Sequence, residues 1–173
     1  MVTKKSMLVL FGVLIISTWV LGSAIQAGAE TLKGRIALTV TKNETISVND
    51  EEGHVLGLQI MEGLVFFENG EVPKVRHHAV WDFEPGKGTQ AIGYTIFTFE
   101  DGSTVVIKFH RLVALGESGT RSATATSEFI KGTGRFQGIK GTSSSTGKNF
   151  LPSKGEAARA FNDATWTYTL PTK

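Results

Sequence analysis

Gly132-Thr133-Gly134-Arg135-Phe136-Gln137-Gly138-Ile139-Lys140-Gly141 carries the clearest architectural signal in the chain, because glycine recurs there between an apolar-alternating segment and a Ser/Thr-rich one. Gly132 and Gly134 suit a tight turn that needs positive φ, which glycine adopts without steric cost. Gly138 and Gly141, set in strand-like sequence, suit bulges or bends where a sheet curls. A sheet that keeps curling closes on itself into a barrel. The spacing Gly132-x-Gly134-x-x-x-Gly138 superficially matches a dinucleotide loop, but that loop must open a helix whose N-terminus takes the phosphates. The next residues are Thr142-Ser143-Ser144-Ser145-Thr146-Gly147, a poor helix start, which argues against nucleotide binding.

On either side of this block, β-branched and aromatic residues fall in short runs broken by Gly, Pro, Asn and Asp, the pattern of a strand-dominated chain. The clearest unit is a hairpin in which Asp101-Gly102 joins Ala91–Glu100 to Ser103–Val113 through a two-residue turn. Pairing Glu100 with Ser103 puts Ile92, Tyr94, Ile96 and Thr98 on one face with Val105, Ile107, Phe109 and Arg111. The other face then carries Gly93, Thr95, Phe97 and Phe99 with Thr104, Val106, Lys108 and His110. Neither face is simply polar, so both are expected to be covered: the inside by side chains or a ligand, the outside by a helix, a loop or a neighbouring subunit. Further strands are expected over Arg35–Thr41, His54–Phe67, Glu71–Phe83, Ser122–Ile130, Gly134–Ser145 and Thr165–Leu170, with one short helix over Lys154–Phe161 near the C-terminus. No repeat, long linker or second domain interrupts them.

The N-terminus reads as a secretory signal: Lys4-Lys5, an apolar run from Met7 to Leu21, and small residues ending Ala27-Gly28-Ala29. The division expected is a signal peptide over 1–29 and one domain over 30–173, in a secreted or periplasmic protein. The chain carries 18 basic and 16 acidic residues, and removal of Lys4 and Lys5 leaves 16 of each sign. A neutral domain does not support a nucleic-acid partner, nor a membrane partner once the signal is cleaved. There is no cysteine, which excludes disulfides, thiolate nucleophiles and cysteine-based zinc sites.

The region from Glu30 to Lys173 resembles the allene oxide cyclase-like and dirigent-like barrel proteins, many of them secreted bacterial proteins of unknown function. The likeness lies in Gly93-Tyr94 through Phe99-Glu100-Asp101-Gly102, in the glycine block, and in Trp166-Thr167-Tyr168. The fold class expected is therefore all-β: an eight-stranded antiparallel β-barrel, calycin-like or allene oxide cyclase-like, with the short C-terminal helix. The resemblance implies an apolar lumen and a homo-oligomer, with a trimer favoured. Within the group, cyclases isomerise an unstable fatty-acid epoxide, dirigent proteins steer phenoxy-radical coupling, and a bacterial barrel demethylates a phenazine. No cyclase active-site motif matches here, so the resemblance implies architecture and a small-molecule cavity, with no catalytic assignment and no cofactor.

Polar groups on apolar faces are the candidates for chemistry, since burying them is costly unless they are paired or used. Glu62 shares a parity with Leu56, Leu58, Ile60, Leu64 and Phe66; His77 shares one with Val75, Ala79, Trp81 and Phe83; His110 shares a hairpin face with Phe97 and Phe99. If those faces turn inward, the three could supply a general base, a general acid and a donor to a substrate oxygen. Histidines satisfied by a neighbour, and a solvated Glu62, explain the same pattern. His77 and His78 point to opposite faces of a strand and cannot share a metal ion in regular geometry, so no metal is expected. Trp81, Phe83, Tyr94, Phe97 and Phe99 are the expected ligand-binding residues for a hydrophobic or aromatic small molecule, while ordinary barrel filling accounts for them equally. Three functions stay open: a lumen-binding protein, a cofactor-free isomerase, cyclase or demethylase, and a structural barrel with a solid core.

Overall fold

In the computed structural model, which describes residues 28–116 and 121–172, eight strands run in sequence order around a closed barrel. They are β1 (Glu30–Ser47), β2 (Val55–Phe67), β3 (Lys74–Glu84), β4 (Gly88–Thr98), β5 (Thr104–Leu115), β6 (Arg121–Gly132), β7 (Lys140–Phe150) and β8 (Arg159–Thr169). Each is antiparallel to the next, and β8 returns to β1 from Glu30↔Tyr168 to Thr39↔Arg159. Closure leaves no free sheet edge along that seam. The signal peptide expected over 1–29 lies almost wholly outside the described residues.

No α-helix forms among the described residues, and the helix expected over Lys154–Phe161 is replaced by turn and coil followed by the start of β8. Gly155 sits at φ 83, which breaks a right-handed helix at its second residue. Two turns of isolated helix are marginal, whereas a strand entering here finds β7 and β1 on either side: Ala160 pairs with both Asn149 and Leu38. The glycine block also departs from expectation. Gly134, Gly138 and Gly141 take positive φ, but Gly132 closes β6 opposite Val105. Gly134–Phe136 is a 3₁₀ turn, so β7 begins only at Lys140.

The β4–β5 connection is three residues, Glu100-Asp101-Gly102, rather than two. The Phe99 N–H donates to Ser103 O at 3.0 Å and the Gly102 N–H to Phe99 O at 3.0 Å, with Gly102 at φ 79. This is a type I turn closed by a glycine bulge. The Asp101 carboxylate fixes it by accepting from the Ser103 N–H at 2.9 Å and hydroxyl at 3.0 Å. Partners become Phe97↔Val105, Thr95↔Ile107 and Gly93↔Phe109, one residue off the expected register. The slip exchanges every facing across the hairpin. Phe97, Phe99, Val105, Ile107 and Phe109 are therefore buried together inside, while His110 goes outside.

One end of the lumen is filled largely by aromatic side chains. Phe67, Phe97, Phe99, Phe136 and Trp166 are all buried there, with ring centroids 5.0 Å apart for Phe67–Trp166 and 4.6 Å for Phe99–Phe136. The 3₁₀ turn lays Phe136 across this end, and Ile139 seals beside it. Arg135 clamps the plug from outside, its guanidinium 4.8 Å from the Phe99 ring centre and 4.7 Å from that of Phe136, and ion-paired to Glu71 and Asp101. The other half is walled by smaller side chains: Gly57, Ala79, Ala91, Ala123, Ala125, Gly147 and Ala160 alternate with outward residues. Size thus divides the lumen wall into an aromatic floor and an upper half of smaller side chains, where the Trp81 ring lies over Gly57.

Candidate functional site

Between floor and far end the lumen holds a chamber of about 40 Å³ into which polar side chains enter beside Ile36, Leu38, Ile107 and Phe109. His77 enters it from β3, Thr95 from β4, Arg111 from β5, Ser127 from β6, Ser143 and Ser145 from β7, and Asn162 and Trp166 from β8. Each sits at an inward position of a strand whose neighbours on that parity are small or apolar, so strand alternation alone drives the polar groups together. Gly147 clears the space for Asn162: a Cβ there would come 2.6 Å from Asn162 Oδ1.

His77 is 7% exposed, with Nδ1 2.9 Å from Thr95 Oγ1 and its ring stacked on Phe109 at 4.2 Å between centroids. Burial pushes its pKa down to about 3, reinforced by the nearby positive Arg111 and by His78. At neutral pH it is therefore an uncharged ring offering one donor and one acceptor. Arg111 is 8% exposed, and its Nη2 donates to Asn149 Oδ1 at 2.6 Å and to Asn162 Oδ1 at 3.4 Å. Burial lowers its pKa to about 10, which still leaves it charged. Among the described residues no carboxylate pairs with it. Its Nε and the Nε1 of Trp166 are both buried without a protein acceptor.

The structure does not bring the sequence-derived candidates together. His77 points into the chamber, but Glu62 projects outward and pairs with Arg76 at 3.2 Å, and His110 projects outward between Ile92 and Thr126. The apolar parity that includes Glu62 is the exterior of β2. Of the aromatic set, Phe97 and Phe99 are spent in the floor, where about 40 Å³ remains open. Trp81 and Phe83 face inward at the far end and are half-buried, whereas Tyr94 lies outside between His78 and Lys108. Arg111, Thr95, Asn162 and Trp166 are not among the site residues expected from sequence. A signal existed: Arg111 is a charge inside the apolar alternation Val105, Ile107, Phe109, Val113, and Asn162 interrupts Ala160 and Ala164.

The outer surface carries the larger concavity, an open groove of about 1120 Å³ over several strands. Its exposed aliphatic members are Ile46, Leu56, Leu58, Val80, Ile92 and Leu112, all at outward positions. Five of them are contiguous through the pairs Ile46↔Leu56, Leu58↔Val80 and Val80↔Ile92, while Leu112 pairs with Gln90 and Thr124.

No protein-family profile matches the sequence, and no curated protein does. Among solved structures, the chain is similar to a conserved protein of unknown function from Rhodopseudomonas palustris, at 16% identity and TM-score 0.53, covering 81% of this chain and 98% of that one. A pterocarpan synthase dirigent protein aligns at 10% identity and TM-score 0.48, covering 84% of this chain and 88% of its own. A protein of unknown function from Clostridium acetobutylicum aligns at 16% identity and TM-score 0.46, covering 83% and 99%. The first likeness shows the barrel fold and is silent on activity. The fold is a closed, eight-stranded, antiparallel barrel.

Proposed function

We propose that the chain is an exported, secreted or periplasmic protein that binds a small molecule in the barrel lumen and works as a homo-oligomer. The observation that carries the reading is the set of polar side chains buried around the chamber: a lumen built only for stability would be filled with apolar side chains, because buried polar groups without partners destabilise. The chamber is large enough for the head group of a ligand, since a single water needs about 10–15 Å³ on the same measure. A hydrophobic or aromatic body would lie above it, along the small-residue wall towards Trp81 and Phe83. Acid–base catalysis finds less support: His77 would act alone, with Glu62 and His110 on the opposite side of the sheet.

The occupant of the outer groove is a second copy of this chain. Five contiguous exposed aliphatic side chains, with Leu112 nearby, on a neutral domain fit a self-complementary apolar contact better than a charged partner. The test is native mass spectrometry of the protein purified gently from its own host. An oligomer carrying a reproducible extra mass is the expected result; a bare monomer that also takes up no small-molecule probe leaves a structural barrel.

A further inference from the structure

Arg111 is the chamber group whose charge the described residues leave unanswered. A guanidinium removed from water needs an opposite charge, or acceptors for all its donors, and buried Arg normally has a carboxylate beside it. Here two asparagine amide oxygens, both taken by Nη2, are the side-chain acceptors that the described residues supply. Nε remains, and across the same cavity Trp166 Nε1 also lacks an acceptor. Arg111 and Trp166 both contribute to the wall of one space, together with Ser127, Ser143 and Ser145.

Resting on the small-molecule reading above, we infer that the chamber is a monoanion site that takes a carboxylate, with Arg111 Nε and Trp166 Nε1 donating to its oxygens. The volume agrees: about 40 Å³ suits a group of three heavy atoms, which is what a carboxylate is. The rest of the chamber agrees as well. Asn149 and Asn162 orient the guanidinium through neutral oxygens and bring no competing negative charge, and His77 stays uncharged, so a single positive charge meets a single negative one. A dianion such as phosphate would leave one charge uncompensated in a buried site. The carboxylate belongs either to a free small acid or to the head of a longer molecule whose body runs towards Trp81 and Phe83, and chain length distinguishes these sources.

The test is calorimetric titration of the full domain with formate, benzoate and octanoate, each beside its neutral amide (formamide, benzamide, octanamide), at matched ionic strength. Expected are binding of at least one acid, no comparable binding of its amide, and a loss of about tenfold or more in acid affinity in Arg111→Gln. Formate binding as well as the longer acids identifies a free small anion; preference for benzoate or octanoate identifies a head group. Trp166→Phe, which keeps the ring and removes the donor, should weaken the acid several-fold, and it serves as the decisive variant if Arg111→Gln does not fold. If amides bind as tightly as acids and Arg111→Gln changes nothing, the anion site is refuted while lumen binding survives. If neither acids nor amides bind and the protein from its host carries no extra mass, both readings fall.

Discussion

Acid should destabilise this protein through His77 before it touches the carboxylates. The unfolded chain binds a proton at His77 near pH 6.5, and the folded protein refuses it until about pH 3. A pKa depressed by folding gives a stabilisation that is complete above 6.5 and declines steadily as pH falls towards the folded value. One proton over one pH unit corresponds to about 1.4 kcal/mol, so lowering the pH from 7.5 to 4.5 crosses about two effective units and removes about 2.7 kcal/mol. The lowered pKa values of Asp50, Asp101 and Asp163 act in the same direction, but only below their ordinary value of 3.8, outside that window. The assay is urea unfolding at pH 7.5 and 4.5 for the natural protein and for His77→Gln, which keeps an amide beside Thr95 and cannot titrate. The natural protein should lose about 2–3 kcal/mol more than the variant across the interval. Equal losses in both would refute the buried, neutral His77.

Other consequences are as direct. Phe97, 2% exposed in the aromatic floor, should cost about 3–5 kcal/mol of stability on Phe97→Ala, read from denaturant midpoints; a loss below about 1 kcal/mol would mean that the floor is not packed as described. Val80→Lys places a charge in the middle of the outer apolar row and should shift sedimentation to the monomer without altering the far-ultraviolet circular dichroism; an unchanged oligomer would move the interface elsewhere. His54 lies 2.7 Å from Asp50 and 3.0 Å from Asp82, and its pKa is raised, first by the hydrogen bond to Asp50. Its ring resonances should titrate above pH 6.5, and Asp50→Asn should bring the midpoint down. Whatever this clamp adds to stability is present below pH 6.5 and is lost as pH rises through the folded value.

The strands were readable because alternation and turn residues are local. Each expected strand found a counterpart, and the glycine block does mark where the sheet stops and the chain folds over the end. Register was not readable at the β4–β5 turn: Asp101-Gly102 fits both a two-residue turn and the end of a three-residue one, and the choice rests on the Phe99–Ser103 hydrogen bond. Facing was not readable on β2 because Leu56, Leu58, Leu64 and Phe66 form as apolar a stripe as Met61, Val65 and Phe67, and only closure decides which is inside. The same holds for the site. Arg111 stood out as a charge among hydrophobes, but its neighbours His77, Ser143 and Asn162 come from strands that closure alone brings around one cavity.

Closure also governs how the molecule is made. The Tyr168 hydroxyl donates to Glu30 across 138 residues of sequence, and the ladder beneath it joins the first strand to the last. A chain emerging from a ribosome or a translocation pore therefore cannot complete its barrel until nearly all of it has arrived. Until then β1 and β7 each present a naked row of amides and carbonyls, and so long-range a pairing is among the slowest to form. The interval between emergence and closure is when the nascent protein is open to mispairing with its siblings, and when a holding chaperone would have something to hold.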